Sequence, residues 1–376
     1  MPDPISVLVV DDSALMRNLI SRIVDATPGL RTVDKAMNGV FALQKIPRCQ
    51  PDIIVLDIEM PEMNGIEFLK ERKRLGIDIP VVILSSVARS GAQVTMEALS
   101  LGAADFITKP SGSVSSDIHT VAGELSRMLV AYGSQYQREK GREPVRYSFE
   151  APERMFDASP EPVRQQVPRA PARVEPPKPS RAPGPTEIVA IGISTGGPNA
   201  LREVFARIAP DLGCPVVVVQ HMPAGFTEEF AASLDRICPL EVKEAADGDV
   251  LKPGRVLIAP GDWHVVVEKR SLAGVVRINQ DPPENGHRPS ADVLFRSIAR
   301  DYGNRSLAVI MTGMGRDGAR ELGSIYQEGG MTLGQDEGSS VVYGMPKVAF
   351  EMGHVMEQVP LSRMAERIST IAKENR

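Results

Sequence analysis

The stretch Ile188-Val189-Ala190-Ile191-Gly192-Ile193-Ser194-Thr195-Gly196-Gly197-Pro198 is an apolar run that stops on a serine. A continuous Ile/Val/Ala run of this kind suits a parallel strand covered on both faces, and Pro198 suits the first turn of a following helix. Ser194 is therefore expected at the carboxyl end of a strand and the amino end of a helix. Unpaired backbone N–H groups there can face a developing negative charge. Two readings are open for the serine, a helix cap and a nucleophile.

Working outward, two more buried runs follow, Val216 to Gln220 and Ser306 to Ile310. Helical periods at Phe226 to Ile237 and Val293 to Asp301 surround them. Shorter strands are expected at Arg255 to Ala259, Val265 to Lys269 and Val275 to Ile278, with a tight turn at Ala273-Gly274. The pattern predicts a three-layer α/β/α domain with a mainly parallel sheet. A nucleophilic serine needs a base and an acid that orients the base. Of five histidines, His221 ends a buried strand, whereas His119, His264, His287 and His354 do not. Asp317 lies in Met311-Thr312-Gly313-Met314-Gly315-Arg316-Asp317-Gly318, the turn after the third buried run. Singly these residues have plainer readings: a cap, a satisfied core histidine and an acid complementing a helix dipole. Together, Ser194, His221 and Asp317 are expected on one rim of one sheet. Backbone N–H groups of Met314 or Gly315 are the expected oxyanion donors, because glycines let the main chain approach a substrate closely.

Residues 192–196 satisfy G-x-S-x-G, the nucleophile elbow of α/β-hydrolases. That fold orders its partners Ser, acid, His, whereas the order here is Ser, His, Asp. A dinucleotide fingerprint is excluded, since Ser194 stands where its second glycine belongs.

In the first part of the chain five apolar runs alternate with helical periods: Ile5 to Val10, Leu30 to Ala36, Ile53 to Leu56, Val81 to Leu84 and Ala104 to Ile107. This predicts a (βα)5 doubly wound parallel sheet. Its first helix is expected to bury a stripe of Leu15, Leu19, Ile23, Met16, Ile20 and Val24. Chemistry in such sheets gathers beyond the strand carboxyl ends, where Asp11, Asp12, Asp57 and Lys109 fall. Three converging carboxylates repel one another, and a hard cation such as Mg²⁺ relieves this. Such an ion can bridge Asp57 and an incoming phosphoryl group while Lys109 neutralises another oxygen and Ser85 hydrogen-bonds it.

Between Gly133 and Pro185 the periodicity vanishes and prolines accumulate, which reads as a flexible linker spanning about 40 Å. The expected domains are thus 1–132, the linker 133–185 and 186–376. A tether of this kind keeps the domains at roughly millimolar effective concentration. A net charge of -5 gives no reason to expect nucleic acid as a partner. No apolar run reaches the roughly 20 residues of a spanning helix, and the amino terminus lacks a basic leader, so a cytoplasmic location without membrane insertion is expected. Cys49, Cys214 and Cys238 have no metal spacing and read as reduced thiols.

VLVVDDS, IIVLDIEMPEMNG, LSS and GAADFITKP resemble the receiver domain of two-component response regulators. The resemblance implies that Asp57 is phosphorylated by a histidine kinase, that Asp11, Asp12 and Asp57 hold Mg²⁺, and that Ser85 and Phe106 are the switch residues beside Lys109. Ser86 is the alternative to Ser85. IGISTGGP, VVVVQHMPAGFTEEFAASLD, GHRPSADVLFRSIA, VIMTGMGRDG and GMPKVA resemble the catalytic domain of the chemotaxis protein-glutamate methylesterases. That resemblance implies Ser194 as nucleophile, His221 as base, Asp317 as its orienter and Met314 as a backbone donor, with Thr195, His287 and Arg288 near the cleft. It further implies demethylation of glutamyl methyl esters, and deamidation of some glutamines, on chemoreceptor helices, with no cofactor for hydrolysis. The receiver is expected to cover the cleft until it is phosphorylated. The alternatives are a serine esterase or amidase for another substrate, and a non-catalytic binding regulator.

Overall fold

In the computed structural model, the described residues are 3–86, 89–109, 117–143, 178–271 and 273–374. The chain divides into two compact units, Met1–Ala170 and Pro171–Arg376.

The first unit alternates β1 (Ile5–Val10), α1 (Ala14–Ala26), β2 (Leu30–Ala36), α2 (Gly39–Cys49), β3 (Ile53–Asp57), α3 (Gly65–Arg74), β4 (Val81–Ser85), α4 (Arg89–Ser100), β5 (Asp105–Thr108) and α5 (Asp117–Glu139). The parallel sheet has the order β2-β1-β3-β4-β5, so the direction of winding reverses between β1 and β3. Both of these strands are buried along their whole length, as a sheet covered on two faces requires. The α1 stripe is narrower than expected. Ile20 and Val24 are buried, but Leu15, in the first turn of α1, is 70% exposed.

The expected linker start at Gly133 is corrected, since α5 continues to Glu139. Its last turns are held by polar bonds that leave no apolar period. Gln137 Nε2 donates to Asp52 at 2.9 Å and the Tyr136 hydroxyl donates to Asp78 at 3.1 Å. Arg142 adds an ion pair to Asp52, which is 1% exposed. The expected linker end moves too. Ser180 N donates to Gln327 O and Gly184 N to Asn304 O, both at 2.8 Å, so the chain already belongs to the second unit there. The proline-rich residues 144–177, and with them the expectation of a flexible tether, lie outside the described residues.

The second unit comprises β6 (Ile188–Ile193), α6 (Gly197–Phe205), β7 (Val216–Gln220), α7 (Thr227–Asp235), β8 (Glu241–Glu244), β9 (Arg255–Ile258), β10 (His264–Lys269), β11 (Gly274–Asn279), α8 (Ala291–Asp301), β12 (Ser306–Ile310), α9 (Ala319–Gln327), β13 (Met331–Gln335), α10 (Met345–Glu351), β14 (Glu357–Val359) and α11 (Leu361–Glu374). Seven parallel strands run in the order β14-β13-β12-β6-β7-β9-β8, and β10 with β11 forms a separate antiparallel hairpin. Residues of α8, α9, α10 and the hairpin join one face of the sheet in a single core that includes Phe295, Leu322, Met345 and Val267. In contrast, α6 packs with α7 and α11. Strands β8, β13 and β14 escaped sequence reading. β14 has three residues, β13 is Met331-Thr332-Leu333-Gly334-Gln335 with polar residues and a glycine in place of an apolar run, and Glu241-Val242-Lys243-Glu244 is an edge strand whose charged side chains hide it.

The sheet's winding reverses between β6 and β12, which places the ends of β12, β6 and β7 side by side. Open α/β sheets bind their ligands at such a point.

Candidate active site

Ser194 follows β6 directly. The cap position of α6 belongs to Gly196, whose φ of 79° favours glycine, and no side chain caps that helix. The helix-cap reading of Ser194 is therefore set aside. The serine's main chain is fixed on both sides: its N–H donates to Thr312 O at 3.0 Å, and its carbonyl accepts from Gly197 N at 2.7 Å. A Cβ on Gly313 would lie 2.7 Å from Ser194 Cβ, so the turn after β12 closes against the serine only because residue 313 has no side chain.

Ile193 pairs with Gln220 in the β6–β7 register, which sets Ser194 beside His221. His221 Nε2 lies 2.9 Å from Asp317 Oδ2. A carboxylate only accepts, so Nε2 carries the proton and Nδ1 is the basic nitrogen. Nδ1 is buried and has no hydrogen-bond partner among the described residues. No hydrogen bond joins Ser194 Oγ to His221 among these residues, and catalytic contacts of this kind often close only when substrate binds. The His287 ring stacks on His221 with centroids 3.9 Å apart and planes at 10°, so one face of the imidazole is covered.

Asp317 is 1% exposed at the amino end of α8. It accepts from His221, from Ser290 Oγ at 2.6 Å, from Asn285 Nδ2 at 2.9 Å and from Ala291 N at 2.6 Å. Burial pushes its carboxyl up, but the bonds from His221, Ser290 and Asn285 prevail and hold it well below the usual carboxylate range. Asn285 also donates to Asp292 at 2.8 Å and so sits between two carboxylates. Neither Asn285 nor Ser290 was singled out from sequence. The signals available were the Asn285-Gly286 turn and a Ser290 cap three residues before Val293.

Met314 is half-buried in the turn after β12. That turn is held by Gly313 N donating to Val342 O and by Gly344 N and Met345 N donating to Gly313 O. The Met314 amide takes part in none of these bonds. Thr195 is half-buried, and its carbonyl accepts from Thr312 Oγ1 at 3.0 Å. Arg288 follows His287, whose ring covers His221. Its guanidinium is committed to Asp262 at 2.6 Å and to the carbonyls of Gln280 and Asp281, tying one loop to another.

In the first unit, oxygens of Asp11, Asp12 and Asp57 lie within 4.8 Å of one another. Lys109 Nζ is 2.7 Å from Asp57 and 3.7 Å from Asp11. Burial, then the neighbouring Asp57, raises the Asp11 carboxyl to about 6 against the pull of Lys109. Burial likewise raises Asp57, opposed by Lys109. Ser85 ends β4, and its carbonyl accepts from Lys109 N at 2.7 Å. Its hydroxyl meets Thr95 Oγ1 at 2.6 Å, so here it faces α4. Phe106 is 7% exposed in β5, opposite Ile83, and Ser86 follows the strand half-buried.

A family model described as CheB methylesterase matches residues 189–368, and one described as response regulator receiver domain matches residues 7–118. A protein-glutamate methylesterase/protein-glutamine glutaminase of Treponema denticola is 61% identical over 99% of this chain and 99% of its own length. The chain belongs to the CheB methylesterase family. A second relative of the same name, from Treponema pallidum, is 53% identical over 98% of this chain and 97% of its own length. The solved catalytic domain of the Thermotoga maritima CheB methylesterase is 37% identical, with a TM-score of 0.49, covering 50% of this chain and 98% of that one. The CheB methylesterase model begins one residue after Ile188, so it takes in the candidate site on β6, β7 and β12 together.

Proposed function

We propose that the chain is a phosphorylation-controlled protein-glutamate methylesterase that also deamidates glutamines, acting on chemoreceptors in sensory adaptation. The observation that carries the chemistry is a half-buried His221 whose Nε2 is fixed by Asp317 while Nδ1 has no hydrogen-bond partner among the described residues, on the strand that the register sets beside Ser194. Ser194 Oγ attacks the carbonyl of a γ-glutamyl methyl ester as Nδ1 takes its proton, and the developing oxyanion is met by the Met314 N–H. The same proton then goes to the departing methoxide, which leaves as methanol. Water, deprotonated at Nδ1, attacks the acyl-enzyme, and its proton returns to Ser194 as the glutamate is released. With glutamine as substrate the leaving group is ammonia and the later steps are shared. None of these steps calls for a cofactor.

Control is assigned to the receiver, where Asp57 attacks the phosphorus of a phosphohistidine on a kinase. Asp11, Asp12 and Asp57 fit a divalent cation, since Asp11 Oδ2 is buried with no hydrogen-bond partner among the described residues. When bound, Mg²⁺ offsets the charge on the phosphoryl oxygens. Lys109 holds the Asp57 carboxylate in place. No helix among the described residues is long and apolar enough to cross a membrane, and the enzyme is proposed to work in the cytoplasm on receptor segments exposed there.

Two expected results test this control. Methanol release from methylated receptor by the full chain rises about tenfold or more when a small phosphodonor and Mg²⁺ are added, as for a coupling of 1–3 kcal/mol. The Asp57→Asn chain shows no such rise, and persistent stimulation would remove Asp57 from the pathway. A fragment of residues 178–376 is expected to release methanol faster than the unphosphorylated full chain. Equal or slower release would mean that the receiver does not restrain the esterase.

A further inference from the structure

Gln220 is the last residue of β7 and is 2% exposed. Its Nε2 donates to two main-chain oxygens, Ser194 O at 3.1 Å and His221 O at 2.9 Å. Both acceptors are carbonyls, so the nitrogen of the side-chain amide must face them. The bond from His221 N to Ile193 O, 3.2 Å, continues the β6–β7 ladder to the sheet's edge. Gln220 adds a rung beyond it, joining the main chain of Ser194 to that of His221 through one amide. Its Oε1 is buried without a hydrogen-bond partner among the described residues. That oxygen fills the space beside Gly197, where a Cβ would lie 1.9 Å from it. An apolar side chain would fill this volume without orphaning an acceptor, an omission that costs about 1–3 kcal/mol. An amide retained at such a cost has a geometric task.

We infer that Gln220 is a positioning residue that sets the separation of Ser194 Oγ and His221 Nδ1 by clamping their main chains together. The inference rests on the esterase reading above. Its test is kinetic, in the full chain, with Gln220→Met and Gln220→Glu beside the parent and Ser194→Ala. Gln220→Met fills the space but donates nothing, and its kcat is expected to fall ten- to hundredfold, the scale of an ångström-size misplacement, with KM held within about twofold. Gln220→Glu has no donor when ionised and one when protonated, and burial favours the protonated form. Its kcat relative to the parent is therefore expected to rise as pH is lowered from about 8 to about 6. A merely structural Gln220 would lower Tm in both variants while leaving the kcat of folded protein and the pH ratio unchanged, which overturns the inference. If the parent itself releases no methanol, it is the esterase reading that fails. The inference is then read from the rate at which a fluorophosphonate labels Ser194: slower labelling in Gln220→Met upholds it, and equal labelling overturns it.

Discussion

Ser194→Ala is expected to lower kcat for methanol release from methylated receptor by about 10⁶-fold, the loss seen when a hydroxyl nucleophile is removed from a Ser-His-Asp set. The fold should not notice. The Ser194 side chain makes no hydrogen bond among the described residues, whereas its N–H and carbonyl keep their bonds to Thr312 and Gly197 in the variant. The half-buried site loses one oxygen and opens no cavity in the core. Circular dichroism and thermal melting should therefore overlay on the parent while release stops. A variant that kept even a tenth of the parent rate would show that water attacks the ester directly and that Ser194 is not the nucleophile.

Asp317→Asn is expected to do two kinds of damage at once. The amide presents an N–H₂ group to donors from His221, Ser290, Asn285 and Ala291, so at least one of them is left facing another donor. If Nε2 of His221 becomes the acceptor, the proton moves to Nδ1 and the base is lost. A change of this type costs about 10⁴ in kcat. Stability should fall by about 3 kcal/mol, because hydrogen bonds to a buried charge are replaced by an imperfect neutral set. The pH dependence carries a sign. Asp317 has a depressed carboxyl when folded, so its stabilisation is present above the ordinary carboxylate value of 3.8 and is lost as pH falls through the lower folded value. Denaturant melts of parent and variant should thus differ fully at neutral pH and converge only in strong acid. A gap that closed near pH 6 would mean that the carboxylate is not held as described.

Much of this site was legible because parallel strands buried on both faces announce their ends. Ser194, His221, Asp317, Asp11 and Asp57 each follow an apolar run, and the runs are where the strands lie. Gln220 was visible as a residue but not as a clamp, since its meaning depends on the register that brings Ser194 alongside. Asn285 lies in an irregular loop, where no periodicity predicts that its amide will reach Asp317. For Arg288 the resemblance implied a place near the cleft but not its ion pair with Asp262, which joins residues far apart in sequence. The last turns of α5 and the residues just after it were read as linker because Gln137 and Arg142 are anchored to a buried carboxylate rather than to apolar side chains.

The acid takes the far nitrogen of the His221 ring, leaving the near one for the nucleophile. Nδ1 lies close to its own main chain, so its reach is short and favours a hydroxyl set alongside by the strand register, as Ser194 is at the end of β6. Nucleophile and base are then tied to a strand register and not to loops. A single-residue insertion in β6 or β7 would turn Ser194 or His221 to the opposite face of the sheet. These two strands can therefore vary in side chain but not in length, and the loop carrying Asn285 and His287 is held to them in turn, through Asp317 and through the ring of His221.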